Sequence, residues 1–146
     1  QMSTATEMVV EILSPEKSLY KGPAASIVLP GRCGYMTILP GHAKMIAELA
    51  IGVLELVNVV GQPGQKYFVA GGFVEVQDVQ VRVLVDVIEK PTEINAERAK
   101  KSEQRAKDRL SGKDSGVAHK GVDYERANLA LLRAQSRLHL VTLLRP

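Results

Sequence analysis

The stretch VRVLVDVIEKPTEINAERAK, residues 81–100, contains the change of architecture that decides the fold. Its first seven residues place valine at every second position, which is typical of a β-strand with one buried face. Leu84 interrupts the polar positions of this pattern, so we expect the strand to be partly covered on both faces. After Pro91 the alternation stops, and residues 94–110 are good helix formers with no Gly or Pro. The chain therefore changes from β-structure to helix within this stretch.

Residues 8–88, on the N-terminal side of the change, are predicted to form β-structure. Short runs rich in Val, Ile and Leu alternate with turns that contain Gly or Pro, and this spacing predicts an antiparallel β-sandwich or barrel. GQPGQ (61–65) is typical of a hairpin connection, and AGG (70–72) of a bulge or a tight turn. The predicted strands are MVVEIL, SIVLP, VLELVNVV, KYFVA, FVEVQ and VQVRVLVDV.

Residues 94–146 are predicted to form an antiparallel two-helix hairpin, with residues 89–93 as the linker that joins it to the β-domain. The second helix is expected to run from Asp123 to about Leu144, after a glycine-rich loop. Residues 1–7 are expected to be a disordered N-terminus.

The apolar seam between the two predicted helices is thin. Alanine buries little apolar area, so a two-helix hairpin joined mainly by alanines should be marginal in water. We therefore expect its folded form to depend on a partner, on the β-domain or on a ligand. The residues at helical spacing are Ala99, Ala106 and Leu110 in the first helix and Ala127, Leu131, Ala134, Leu138 and Val141 in the second.

Composition excludes several kinds of site. The single cysteine, Cys33, excludes an internal disulfide framework and a cysteine-based zinc site. The three histidines have no metal-ligand spacing, and no nucleophile motif is present, so no catalytic residue and no metal site is predicted. No apolar run approaches the roughly 20 residues that a membrane-spanning helix needs.

Charge is distributed unequally between the two parts of the chain. Residues 1–88 contain six basic and eight acidic residues, whereas residues 89–146 contain thirteen basic and eight acidic ones. The helical part therefore favours an anionic partner. Nucleic acid is the weaker candidate because Tyr124 is the only aromatic residue available there for base stacking. An acidic protein surface fits better, and solvated helix faces are the alternative without any partner.

Four arginines of the hairpin form one candidate cluster. Arg98 and Arg105 are seven residues apart, and Arg133 and Arg137 are four apart, so each pair shares a helix face. In an antiparallel hairpin the two pairs can converge, and a polyphosphate would hold them together through charge-assisted hydrogen bonds. Glu89, just before the hairpin, could neutralise one of them. The alternative is that each pair lies on a separate solvated face.

Three segments, in order, resemble the bacterial epsilon subunit of F-type ATP synthase. They are ILPGHA (38–43), GGFVEV (71–76) and the helix start INAERA (94–99), and the resemblance extends from about residue 8 to residue 144. It implies a non-catalytic subunit of the central stalk, whose β-sandwich links the gamma subunit to the c-ring and so couples proton flow to ATP synthesis. A stand-alone ATP-sensing module without a rotor role is the alternative function.

The resemblance also implies a conformational inhibitor and a location. In this family the hairpin either folds on the β-domain or extends along gamma to the alpha and beta subunits, where it blocks ATP hydrolysis. The family members are peripheral membrane proteins on the cytoplasmic face of the bacterial inner membrane. No cofactor is required, although some bacterial members bind ATP as a regulatory ligand when the hairpin is folded.

The family's ATP site can be carried over position by position. Asn95 stands where the family motif has Asp, which keeps the helix cap but loses a negative charge. The longer loop between the two helices could also change how they meet. The implied nucleotide-binding residues are Glu89, Asn95, Arg98, Ala99, Arg105, Arg133 and Arg137.

The c-ring-facing loop implied by the resemblance contains departures from the family pattern. Tyr35 stands where an acidic residue is frequent, Thr37 where glycine is common, and Lys44 where proline is frequent. The polar details of the contact with the c-ring are therefore expected to differ. The residues assigned to this loop are Tyr35, Pro40, Gly41 and His42.

Overall fold

A computed structural model of the protein describes residues 7–112 and 123–143. The chain forms two compact units that divide between Lys90 and Pro91. The predictions for residues 1–6, for most of the interhelical loop and for the helix end at Leu144 lie outside the described residues.

The first unit is a sheet of seven strands in the order β2-β1-β7-β6-β5-β3-β4. Adjacent strands are antiparallel, apart from β1 and β7, which pair in parallel. The strands are β1 Met8–Leu13, β2 Ser18–Ala24, β3 Ser26–Gly31, β4 Gly34–Ile38, β5 Met45–Val57, β6 Gln65–Gln77 and β7 Gln80–Glu89.

The inner face of this sheet encloses one aliphatic core. Inward side chains of β1, β3, β4, β5, β6 and β7 belong to a single buried cluster, and Val10, Ile27, Ile38, Leu54 and Val83 are each fully buried within it. No charged or polar residue is buried among the described residues. The predicted fold class, a β-sandwich or barrel followed by two helices, is confirmed.

Two strands, β2 and β4, were not predicted from the sequence because they lie at the edges of the sheet. β2 contains Gly22 and Pro23, and β4 is mostly exposed, so neither has the run of apolar residues that marks a central strand. Proline cannot donate a ladder hydrogen bond, so within sheets it is found mainly in edge strands and at bulges. The prediction that KYFVA and FVEVQ are separate strands is wrong, because both belong to β6.

The glycine pair inside β6 is a kink in a continuous strand. Gly71 is the only residue near the kink in β6 that has no partner in the ladders to β5 and β7. Both ladders have the same register before and after it. Gly71 and Gly72 have φ values of +80° and +127°, which disfavour L side chains. A Cβ atom on Gly72 would lie 1.9 Å from the carbonyl oxygen of Leu84. Glycine therefore permits both the kink and the close approach of β7.

The expectation that β7 is partly covered on both faces is not met on the face that carries Leu84. Val81, Val83 and Val85 are buried, whereas Leu84 is 45% exposed on the opposite face. The sheet has only one covered face at this strand, because the core lies entirely on the valine side.

The second unit contains a short 3-10 helix, Pro91–Glu93, and two α-helices, α1 Ala96–Ser111 and α2 Tyr124–Thr142. The helices pack against each other, and α2 also contacts the 3-10 helix. Gly112 ends α1 in the left-handed conformation, with its N–H bonded to carbonyl groups of the last turn.

The predicted seam is only partly buried. The buried residues are Ala99 and Ala106 of α1 and Ala127, Ala134 and Leu140 of α2. Leu140 was not predicted, because it lies roughly 120° around the helix from Ala134. The larger predicted seam residues Leu110, Leu131, Leu138 and Val141 are only half-buried.

Replacing Gly72 with alanine should cost considerably more stability than the same change at Gly34. Gly34 has nearly the same φ, +126°, but no atom lies within 4 Å of its ideal Cβ position. Gly34→Ala should therefore cost only the backbone strain, about 1–2 kcal/mol. Gly72→Ala adds a collision with a backbone oxygen and should cost more than about 3 kcal/mol. Urea unfolding of the full chain, followed by circular dichroism, measures both losses, and equal losses would contradict this account of the kink.

Candidate functional site

Each α-helix begins with a side-chain cap. The Oδ1 atom of Asn95 accepts a hydrogen bond of 3.0 Å from the backbone N–H of Arg98. Asp123 accepts a bond of the same length from the N–H of Arg126. The similar sequences at the two helix starts therefore share one structural role, and asparagine caps as well as aspartate at this position.

Every buried alanine of the two helices directly follows an arginine. The doublets are Arg98-Ala99, Arg105-Ala106, Arg126-Ala127 and Arg133-Ala134, and the second doublet of each helix starts seven residues after the first. Because consecutive helical residues are about 100° apart, each arginine lies beside the seam on one flank of its helix.

Antiparallel packing places these arginines on the same side of the hairpin. The two helices run in opposite directions. On both of them, the residue directly before a seam residue therefore points to the same side of the hairpin. Arg137, three residues after Ala134, lies there as well. We call this side the arginine flank. The predicted residues on it are Arg98, Arg105, Arg133 and Arg137, and helical geometry adds Arg109 and Arg126.

Sequence reasoning missed Arg109 and Arg126 because it compared arginine spacings within each helix only. The signal that would have found them is the distance of each arginine from a buried alanine. Arg126 precedes Ala127 by one residue, and Arg109 follows Ala106 by three. Both offsets lead to the same flank.

The opposite flank of α1 carries lysines. Lys100 and Lys107 each follow a buried alanine by one residue, and their Nζ atoms lie 3.7 Å from carboxylate oxygens of Glu97 and Glu103 respectively. Both lysines are mostly exposed to solvent, so each pair contributes little stability. Their main effect is to hold the carboxylates of Glu97 and Glu103 beside lysines.

The predicted nucleotide residues differ in exposure. Arg98 and Arg105 are exposed, whereas Arg133 and Arg137 are half-buried, and Ala99 is buried in the seam. A guanidinium group presents several N–H donors in a fixed plane, which suits phosphate oxygens. The arginine flank can therefore bind an anion that both helices contact.

Glu89 is the member of the predicted nucleotide set that belongs to the first unit. It is the last residue of β7, is half-buried, and pairs with Phe68 in the β6–β7 ladder. The other members lie in the second unit. The participation of Glu89 in a nucleotide site stays a prediction.

The residues predicted to face a c-ring fall into two places. Pro40, Gly41 and His42 form the β4–β5 loop, where the His42 N–H donates to the carbonyl of Leu39 over 3.1 Å and Gly41 has a φ of +85°. Tyr35 instead lies within strand β4.

The Tyr35 hydroxyl completes the sheet at an irregular position. The pairing of β3 with β5 shifts between Val28 and Gly31, and the Tyr35 hydroxyl accepts a 2.9 Å hydrogen bond from the backbone N–H of Val53. Gly52 leaves space for this contact, since a Cβ atom there would lie 2.5 Å from the hydroxyl oxygen. The structure therefore gives Tyr35 a role in the fold.

Residues 7–112 and 123–143 contain neither a metal-binding cluster nor a membrane-spanning helix. No group of three His, Cys, Asp or Glu side chains in those ranges is placed to hold a metal ion. Neither described α-helix combines the length and the apolar character needed to cross a membrane.

Two family models match the chain, one for each compact unit. The model described as the β-sandwich domain of the ATP synthase delta/epsilon chain matches residues 7–91. The model described as the long α-helix domain of the same chain matches residues 92–141.

Bacterial proteins named ATP synthase epsilon chain are similar over nearly their whole length. The protein of Desulfitobacterium hafniense strain Y51 is 36% identical over 135 residues, which are 92% of this chain and 96% of the relative. The protein of Clostridium kluyveri strain ATCC 8527 is 35% identical over 137 residues, 94% and 98% of the two chains. That of Desulforamulus reducens is 37% identical over 132 residues, 88% and 92% of the two.

Solved structures of mitochondrial ATP synthases contain chains with the same fold. A chain of the Euglena gracilis complex, solved with OSCP, F1 and the c-ring, superposes with a TM-score of 0.79 at 22% identity and covers 97% of this chain and 84% of that one. A chain of the Tetrahymena thermophila central stalk and c-ring gives a TM-score of 0.58 at 16% identity, covering 99% of this chain and 100% of that one. At these identities the likeness shows the fold.

Replacing Asn95 with alanine should destabilise the hairpin by about 1 kcal/mol, because the Arg98 N–H loses its cap. Asn95→Asp should keep the stability, since aspartate caps equally well and its charge favours a helix N-terminus. Asp123→Ala removes the equivalent cap of α2 and should destabilise the hairpin by a similar amount. Thermal unfolding followed by the helical circular dichroism signal measures these changes, and an Asn95→Ala variant as stable as the wild type would contradict the role of the cap.

Proposed function

The chain belongs to the ATP synthase epsilon family, and from this premise we propose that it is a non-catalytic central-stalk subunit of a bacterial F-type ATP synthase. In this proposal it links the gamma subunit to the c-ring and couples proton flow to ATP synthesis. The observation that carries the proposal is the match of both family models, in order, from residue 7 to residue 141. The protein would then be a peripheral protein on the cytoplasmic face of the inner membrane.

The two units have separate tasks in this proposal. The sheet provides a rigid body whose β4–β5 loop, with Pro40, Gly41 and His42, faces the c-ring. The hairpin provides the movable part, which extends towards the alpha and beta subunits and inhibits ATP hydrolysis.

The alanine seam supports a movable hairpin. The four buried alanines remove little apolar area from water when α1 and α2 pack together. The free energy that holds the helices together is correspondingly small, and an isolated helix pair of this length is marginal. A partner that binds the separated helices can therefore shift the equilibrium.

ATP is the proposed regulatory ligand of the folded hairpin. Arginines of both helices lie on the arginine flank, so a triphosphate bound there would contact both helices at once. Such a ligand stabilises the packed form by mass action, because it binds the separated helices less well. Asn95 keeps the helix start in place, and its amide differs from the family's aspartate in carrying no charge.

Removing the hairpin should raise ATP hydrolysis several-fold. The comparison uses ATP synthase complexes reconstituted with the full chain and with a chain ending at Lys90, the last residue of the first unit. Equal incorporation of the two chains, measured on denaturing gels, is the control. Unchanged hydrolysis would remove the inhibitory role and leave the coupling role intact.

ATP binding should depend on the arginine flank and not on the lysine flank. Titration calorimetry of the full chain should show that Arg98→Ala and Arg133→Ala each weaken ATP binding roughly 10- to 100-fold, because each removes a charge-assisted bond. Lys100→Ala and Lys107→Ala are the matched controls on the other side of α1 and should bind ATP within about threefold of wild type.

Two outcomes of this titration contradict the ATP proposal. Absence of heat at millimolar ATP removes ATP as a ligand, and equal losses in the arginine and lysine variants indicate unspecific charge attraction. Asn95→Asp, titrated under the same conditions, measures how much ATP affinity is lost because the chain has asparagine where the family motif has aspartate. A stand-alone ATP sensor would bind ATP but would leave hydrolysis by the reconstituted complex unchanged.

A further inference from the structure

The sequence pattern of α1 recurs in α2 with a constant offset. Each helix has a polar cap, three arginines and two buried alanines in the same order, and every member recurs 28 residues later. The members are Asn95, Arg98, Ala99, Arg105, Ala106 and Arg109 in the first copy, and Asp123, Arg126, Ala127, Arg133, Ala134 and Arg137 in the second. The hairpin is therefore an internal repeat.

Antiparallel packing gives this repeat an approximate two-fold symmetry. The buried alanines of both copies form the seam, and the arginines of both copies lie on the arginine flank. A two-fold axis perpendicular to the plane of the two helices exchanges them and leaves the flank on the same side. A group of side chains at one end of the hairpin therefore has a counterpart at the other end.

Each end of the arginine flank has one pair of equivalent arginines. Arg109 and Arg126 lie where the chain passes from α1 to α2, and we call them the loop-end pair. Arg98 and Arg137 lie at the opposite end, and we call them the open-end pair. The two pairs are eleven residues apart in each helix, which corresponds to about 16 Å along the helix axis. The flank therefore has two separate groups of guanidinium side chains.

The proposed ATP site uses the open-end pair and leaves the loop-end pair unassigned. Arg109 and Arg126 are exposed, and so is Arg105, one helical turn before Arg109. The N-terminus of α2 and the C-terminus of α1 both lie at this end, so their helix dipoles oppose each other. The arginines therefore supply the positive charge there, and their planar N–H donors suit phosphate oxygens.

The carboxylates of this end are directed elsewhere. Asp108 and Glu125 are each two residues from a buried alanine, which places them about 160° around their helices, on the outer surface. The Oδ1 atom of Asp123 accepts the 3.0 Å cap bond from the N–H of Arg126. Cationic side chains collected on one flank repel each other, and an added anion lowers that repulsion.

We propose that the loop-end pair, together with Arg105, binds a chain of two or more phosphates. The hairpin then has a second anion site, related by its internal symmetry to the proposed ATP site. The ligand is either a free oligophosphate or the phosphate tail of a nucleotide. This inference goes beyond the proposed function, because it requires only the packed hairpin. A ligand at this end contacts both helices and stabilises their packing by mass action.

The first test is a titration of the full chain, labelled with nitrogen-15, with tripolyphosphate. The side-chain Nε–H signals of Arg109 and Arg126 in nuclear magnetic resonance spectra should shift and saturate, because their guanidinium groups bind the anion. Arg82 of the first unit is the control, since its Nε lies 3.4 Å from a carboxylate oxygen of Glu11. Its signal should stay in place, and equal shifts at all arginines would overturn the proposal.

The second test compares variants of the two flanks at the same end of the hairpin. Arg126→Ala should raise the Kd reported by the Arg109 signal about 10-fold or more, because a charge-assisted bond is lost. Lys107→Ala is the matched control on the lysine flank, two residues from Arg109, and its Kd should stay within about threefold of wild type. Equal losses in the two variants would contradict a site on the arginine flank.

A third variant covers the case in which Arg126→Ala disturbs the fold. Asp123→Asn keeps the cap of α2, because asparagine and aspartate cap equally well, and removes one negative charge. It should bind tripolyphosphate about threefold more tightly at the loop end, since a carboxylate beside the site repels phosphate. Loss of folding cannot produce a gain of affinity, and unchanged or weaker binding would overturn the proposal.

The same titrations separate this inference from the proposed ATP site. If ATP shifts the Arg98 signal, and neither ATP nor tripolyphosphate shifts those of Arg109 and Arg126, this inference fails and the ATP site stands. If the loop-end signals alone shift with either anion, the second site stands and the proposed ATP site fails. Equal Kd values for ATP and tripolyphosphate at the loop end identify the phosphate chain as the recognised group, whereas tighter binding of ATP identifies a nucleotide.

Discussion

The approach of β7 to the backbone of Gly72 is the constraint on which the first unit depends. A side chain at this position would collide with the Leu84 carbonyl oxygen, so β6 could not kink while remaining paired with both neighbours. The kink lies in the middle of the sheet, and the curvature it permits helps one sheet to surround its own core. Next to the kink, Phe73 and Leu84 are neighbours in the β6–β7 ladder and lie on the outer face of the sheet.

In contrast to the close backbone contact between β6 and β7, the helices of the second unit are joined by weak packing. Alanines at the seam let the two helices approach closely while burying little area, and the arginine before each alanine is thereby directed to one flank. One sequence doublet thus accounts both for the thin seam of the hairpin and for the position of its arginines. A rigid sheet and a weakly packed hairpin together suit the proposed stalk subunit, which would stay attached while its hairpin moves.

Much of this could be predicted from sequence, and the failures have physical causes. Valine alternation and the loss of it after Pro91 predicted the order of strands and helices, because burial on one face imposes a period on the sequence. Edge strands β2 and β4 have no such period, and they were missed. The face of β7 that carries Leu84 was expected to be partly covered, since sequence alone does not distinguish a buried leucine from an exposed one. The arginine pairs were found, but the common flank required the position of the seam.

The division of arginine and lysine between the two flanks has a chemical consequence. Acetylation neutralises lysine but does not react with guanidinium, so it would alter the charge of one side of α1 alone. Acetyl groups on Lys100 and Lys107 would release the carboxylates of Glu97 and Glu103. The net charge of the hairpin could then be lowered covalently while every arginine of the other flank kept its charge. The hairpin would therefore have one flank whose charge can be lowered by acetylation and one whose charge stays fixed.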